Sequence, residues 1–145
     1  MKPTIRRANV YDALYFARHL RPADARELQA AHPQSRLVDI LIRALRDSEA
    51  YVASFHTDCV LFGVAPVEPG IGTIWMVCTD GIKGHAISIL REARHWIAYW
   101  KTQYSLLANY VEDRNLLHLE WLWLLGAKFD RSEYRNGILV NLFYL

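Results

Sequence analysis

Between Thr73 and Val111 the chain reads strand, glycine turn, helix, strand. Thr73–Thr79 is an apolar β-type run, Asp80–Gly84 a turn, and Ser105–Val111 a second strand. From His85 to about Lys101 the residues Ile87, Leu90, Arg94 and Ile97 recur at helical spacing. A strand that returns through a helix runs parallel to the strand it left, and the crossover is right-handed. The neighbouring segments are hairpins. Ala50–Phe55 and Cys59–Ala65 flank His56–Thr57–Asp58, and Ala127–Tyr134 and Ile138–Leu145 flank Arg135–Asn136–Gly137, where Asn-Gly is a strong turn signal. One parallel seam must therefore sit inside an otherwise antiparallel sheet.

The remaining segments supply helices. Thr4–Ala8 is strand-like and ends at Asn9, and Val10–Leu20 follows with helical spacing. Pro22 suits the first turn of a second helix through Ala31, because its missing amide would be unpaired there anyway, and Pro33 stops it. Ser35 is placed as N-cap of a helix to Asp47 whose apolar face is Leu37, Ile40, Leu41, Ala44 and Leu45. Pro66, Pro69, Gly70 and Gly72 are read as a connection before the third strand of the central group. Asn115–Leu125 is helical, with Gly126 as a left-handed C-cap. The class is α+β, with helices on a mixed, mostly antiparallel central sheet. The 145 residues suit a single domain spanning 1–145.

Composition excludes several roles. At 52% hydrophobic and 22% charged the chain is too apolar for disorder. Seventeen Lys and Arg against fifteen Asp and Glu leave +2, which gives no electrostatic case for nucleic acid or a membrane surface. No apolar stretch approaches the ~20 residues of a membrane span, and no signal-peptide pattern opens the chain, so a cytoplasmic protein is expected. Two cysteines, Cys59 and Cys78, read as buried reduced thiols and exclude a cysteine-based zinc cage. His118 and Glu120 fall about 200° apart around a helix, so they make no metal pair, and no metal is expected.

The segment Gly81-Ile82-Lys83-Gly84-His85-Ala86 enters the long helix at the point where unpaired amides can cradle a phosphate. With the element order, it resembles the pyrophosphate loop of the GNAT acyltransferases, Arg/Gln-x-x-Gly-x-Gly/Ala. Gly84 and Ala86 match, whereas Gly81 replaces the basic or amide first position. The resemblance covers about Glu49–Leu145 and implies a V-shaped splay between the two parallel strands that receives the pantetheine arm of acetyl-CoA. It assigns Val77, Cys78 and Thr79 to one side of the arm and Asn109 to the facing strand. Gly81, Lys83, Gly84, His85 and Ala86 are assigned to the phosphates, and Asn115 to the opening of the last helix. His118–Phe129 and Tyr134-Arg135-Asn136-Gly137 further resemble GNAT-like proteins of short-tailed phages, including a virion-associated one.

The family's usual acid is a Tyr seven residues after the helix-opening Asn; here that position is Leu122. Asp80 adds a carboxylate beside the loop, and Glu68 is the one weak candidate for a base. Two outcomes follow from the resemblance. One is an N-acyltransferase using acetyl-CoA. The other is a non-catalytic relative, phage-encoded and placed in the host cytoplasm or the virion, that acts by contact with a host or virion protein. The aromatic content bears on the second: Trp96, Tyr99 and Trp100 on one helix, and Trp121 and Trp123 on another, could serve a protein partner or self-association.

Overall fold

A computed structural model describes residues Met1–Leu145. The chain opens with strand β1 (Thr4–Arg7) and helices α1 (Val10–His19), α2 (Pro22–Ala31) and α3 (Leu37–Asp47). It continues with β2 (Glu49–Phe55), β3 (Thr57–Glu68), β4 (Ile71–Cys78), a 3-10 turn at Asp80–Ile82 and α4 (Ala86–Trp100). β5 (Leu106–Glu112), α5 (Leu116–Leu124), β6 (Lys128–Arg135) and β7 (Ile138–Tyr144) complete it. The seven strands form one sheet in the order β1-β2-β3-β4-β5-β7-β6, and β4–β5 is its parallel seam. The α+β class and the mixed sheet expected from the sequence are thus what the structure shows.

Local chemistry explains most element ends. Asn9 caps α1 by accepting from the Tyr11 amide, and Asp12 returns the bond to the Asn9 amide at 2.7 Å. Asp12 also takes two bonds from the Arg6 guanidinium, at 2.8 and 2.9 Å, which ties β1 to α1. Gly126 has a φ of 86°, the left-handed conformation that ends α5. Asn136 and Gly137 both have positive φ, which lets the β6–β7 turn follow the twist of its strands. Two expectations are corrected. Ser35 does not cap α3; Arg36 holds that position, and Ser35 Oγ instead accepts from Arg43. The Pro66–Gly72 stretch is mostly strand: Pro66 pairs with Gly72 beside a bulge, where a missing amide costs no regular ladder bond.

Alternation along the strands loads both faces. Val52, Leu61 and Val77 point to Ala13, Phe16 and Leu41 of α1 and α3. Ala53, Phe55, Val60 and Cys78 meet Ile89, Leu90 and Trp121 of α4 and α5. Most of the aromatic load is internal. Trp96 lies 4.3 Å from Tyr51, Trp100 is buried with its indole N–H donating to Glu49 at 3.1 Å, and Trp121 is buried. Among the tryptophans Trp123 is the exception, 70% exposed, and Tyr11, Tyr99, Phe129 and Tyr134 are exposed as well. No helix is long and apolar enough to cross a membrane.

The seam is short. Ile71, Gly72 and Thr73 pair with Leu106, Leu107 and Ala108, and there the pairing stops. An unbroken ladder, set by the Leu106 amide on the Gly70 carbonyl, would next join the Tyr110 amide to the Ile74 carbonyl. Instead the Asn109 side chain enters between them. Its Nδ2 donates to the Ile74 carbonyl at 2.7 Å, and its Oδ1 accepts from the Tyr110 amide at 2.7 Å. One side-chain amide satisfies both groups, so the strands part without an orphaned polar atom at the fork. Asn109→Leu should therefore cost about 1–3 kcal/mol of stability, because it leaves both backbone groups unpaired. Urea unfolding of the two proteins measures this, and an unchanged midpoint would contradict the role given to Asn109.

Candidate functional site

Beyond the fork, a cavity of about 680 Å³ runs through the sheet between β4 and β5. It reaches Leu41 and Ala44 of α3 on one face and Ile89, Leu90 and Ala93 of α4 on the other. Its strand walls include Ile74, Met76, Asn109, Tyr110 and Val111, and Leu122 of α5 lies among its lining. Such a lining accepts an apolar or extended chain and fixes it through a few polar groups.

Those polar groups converge at the C-terminal end of β4. Helix α2 presents Asp24 and Glu27 three residues apart, hence on one face. Asp24 Oδ2 accepts from the Cys78 amide at 2.8 Å, and the Cys78 carbonyl accepts from the Arg21 amide at 2.9 Å. From α5, Asn115 Nδ2 donates to Asp24 at 3.0 Å and to Glu27 at 2.7 Å. Glu27 also accepts from the Glu112 amide at 2.9 Å. Glu112 is buried, and Arg26 and Arg114 each reach it at 3.0 Å, so its charge is balanced. His118 sits one helical turn beyond Asn115 with Nε2 3.6 Å from Asp24 and 3.8 Å from Cys78 Sγ.

Burial sets the protonation of this end. It is the main cause that raises the Glu27 carboxyl above its ordinary range, and the nearby Asp24 and Glu112 charges act in the same direction. Burial lowers His118, which keeps its ring neutral near pH 7, and raises the Cys78 thiol well above its usual value.

The loop before α4 lies beside the cavity rather than within its lining. Thr79 Oγ1 accepts from the Gly81 amide, and Lys83 and His85 amides donate back to Asp80 and Ile82. Gly84 is exposed at φ 81°, a conformation glycine adopts without strain. The first turn of α4 leaves the amides of Ala86, Ile87 and Ser88 without intrahelical acceptors. His85 stacks on Phe55 with ring centres 4.1 Å apart, so its ring belongs to the core edge. Asp80 is exposed and no ion pair joins it to Lys83, itself exposed.

Of the residues assigned from sequence, Val77 and Asn109 line the cavity. Cys78 and Thr79 are buried at its β4 end, Asn115 is buried against α2, and Gly81, Lys83, Gly84, His85 and Ala86 form the separate loop. Glu68 is exposed at the far end of β3, on the hairpin that opens β4, away from the fork's mouth. Asp24 and Glu27 were missed, and His118 was weighed only as a metal pair with Glu120 and set aside. The signal for them was a His in a helix apolar but for Glu120 and two carboxylates on one face of α2, neither of which names its partner.

Comparison with known proteins adds the fold. No family model matches the chain, and no curated protein matches it. Solved structures do. A Bacillus subtilis acetyltransferase in complex with CoA aligns at TM-score 0.64 and 14% identity over 99% of this chain and 98% of its own. A Streptococcus pneumoniae acetyltransferase of the GNAT family aligns at 0.66 and 16%, over 99% and 98%. A Vibrio fischeri ribosomal-protein-S5-alanine acetyltransferase aligns at 0.66 and 14%, over 100% and 93%. At these identities the likeness is one of fold, and the chain has the GNAT fold.

The state of Glu27 is open to measurement. Its folded carboxyl holds a proton more tightly than the unfolded chain does. The stabilisation is complete below about pH 4.5 and is lost as pH rises through the folded value, by at most about 1.4 kcal/mol per pH unit. The stability of Glu27→Gln relative to wild type should therefore climb from pH 5 to pH 8. A difference that stays flat in urea unfolding across that range would rule out a raised carboxyl.

Proposed function

We propose that the chain is an acyl-CoA-dependent N-acyltransferase whose reaction takes place in the gap between β4 and β5. The observation that carries this reading is the fork: three paired residues, an Asn109 wedge, and a cavity passing through the sheet behind it. The fold neighbours support it, since the Bacillus subtilis protein is described in complex with CoA.

The residues present fit an acyl-CoA. Strand alternation turns the Met76 amide and carbonyl toward the gap, on the same side as those of Cys78, where an extended amide-bearing arm can pair with them. The amides of Ala86, Ile87 and Ser88 face outward from a helix N-terminus and suit phosphate. Lys83 adds a charge beside them. Acyl-CoA supplies the activated acyl group. Glu27 takes the base role that the sequence had given only weakly to Glu68: it lines the cavity, and its raised carboxyl is a better proton acceptor than an ordinary one. Asn115 and the Glu112 amide hold its two oxygens in place. Leu122 lines the cavity at the position where the resemblance expects a Tyr, so no side chain there donates a proton to the departing thiolate, which takes it from water.

A second reading has its own support. The Cys78 amide is held by Asp24, Leu122 carries no proton, and Trp123 stands exposed, all of which suit a non-catalytic relative that works by protein contact. Resemblance to phage virion proteins rests on the sequence alone.

Isothermal calorimetry with acetyl-CoA separates the two. The enzyme reading expects measurable heat and at least tenfold weaker binding for Gly84→Glu, which puts a carboxylate at the phosphate loop. With an amine acceptor in hand, Glu27→Gln should lower kcat by about 10²–10⁴-fold with little change in KM for acetyl-CoA. No heat and no thermal shift at millimolar ligand would leave the contact reading.

A further inference from the structure

Asp24, Cys78 and His118 come from three elements that border the gap: α2, the end of β4 and α5. All three are buried, with 1%, 0% and 6% of their surface exposed. One carboxylate oxygen, Sγ and Nε2 lie within 4.8 Å of one another. His118 Nε2 is 3.6 Å from Asp24 Oδ1, too long for a hydrogen bond, and 3.8 Å from Cys78 Sγ. Ligands of one tetrahedral zinc ion sit roughly 3.3–3.6 Å apart, given bonds of about 2.0–2.3 Å. The spacing around the His118 nitrogen is thus within a few tenths of an ångström of what a shared ion requires.

The surroundings are those of a held site. Asp24 is oriented by the Cys78 amide at 2.8 Å and by Arg21 at 3.3 Å. His118 Nδ1 lies 3.3 Å from Asn115 Nδ2, which packs the ring beside Asp24. On that same Asn115 amide, which touches both Asp24 and His118, Oδ1 is buried with no partner. It is the one buried side-chain polar atom in the protein left in that state. Asp24 and His118 also line the cavity, which gives an ion a way in and a fourth position.

We propose that Asp24, Cys78 and His118 form a site for one divalent ion of the zinc class, with its fourth position toward the cavity. Thiolate and carboxylate balance the ion's two charges. Binding releases the Cys78 thiol proton to solvent, and no electron changes hands. Arg21 and the ion share the Asp24 carboxylate. The ion cross-ties α2, β4 and α5 around the mouth of the gap, so it stabilises the fold whether or not acyl transfer occurs there.

The test uses the full chain, stripped with a chelator and titrated with Co²⁺. One equivalent should produce a near-ultraviolet thiolate-to-cobalt band and the intense visible absorption of a tetrahedral ion, and Zn²⁺ should displace both. Cys59→Ser should leave the spectrum unchanged, because Cys59 lies outside the cluster with its thiol on the Thr57 carbonyl. Cys78→Ser should lose the charge-transfer band, and His118→Gln should bind at least tenfold more weakly. Zn²⁺ should raise Tm for the wild type and not for His118→Gln, which keeps the test usable if Cys78→Ser does not fold. A wild type without the band, or a band that survives in Cys78→Ser, overturns the proposal. Calorimetry with acetyl-CoA in the presence of chelator reads acyl-CoA binding separately, so the two proposals fail independently.

Discussion

The side chain of Asn109 decides what this sheet can be. A parallel pair flanked by helices would ordinarily zip to its full length and close. Here one primary amide intercepts the next ladder bond, donating to Ile74 and accepting from Tyr110. The strands beyond it are free to diverge without stranding a polar group. The cavity, the burial of Cys78 at its edge and the docking of α2 there all follow from that interception. A longer apolar residue at the same place would have to leave two backbone groups dry, and a smaller one would leave them to find water.

What fills the divergence is as important as what opens it. The exposed side of β4 would carry an unpaired edge, and the chain covers part of it with its own α1–α2 junction. Arg21 donates to the Cys78 carbonyl, Asp24 accepts from its amide, and Leu20 bridges Thr79. Only Met76 keeps both backbone groups facing the gap. The polar cluster balances its charges closely: Glu112 against Arg26 and Arg114, Asp24 against Arg21, with Glu27 left as the carboxyl with the least compensation. A group in that position is a proton acceptor in waiting.

Much of this was legible in the sequence where short-range physics decides. The crossover from Thr73 to Val111, the Pro22 start of α2, the left-handed Gly126 and the Asn136–Gly137 turn each depend on neighbours a few residues away. Ser35 and Pro66 misled for the same reason. A cap and a strand break are what those residue types do locally, but Arg43 claimed the hydroxyl and a bulge accommodated the proline. Asp24, Glu27 and His118 were beyond reach because their meaning depends on partners 40 to 94 residues distant. The aromatic surplus was half legible: the sequence placed Trp121 and Trp123 on one helix, and the fold buried the first and left the second in solvent.

The outer strand β6 has seven of its eight residues exposed and lies at the sheet's open edge. It carries Lys128, Asp130, Arg131, Glu133 and Arg135, so a second strand approaching that edge must bury or oppose charge at almost every step. Such an edge resists uncontrolled sheet extension and aggregation, even with Phe129 and Tyr134 displayed on it. The chain can therefore leave an open margin at β6 while keeping the interrupted seam sheltered in the middle of the fold.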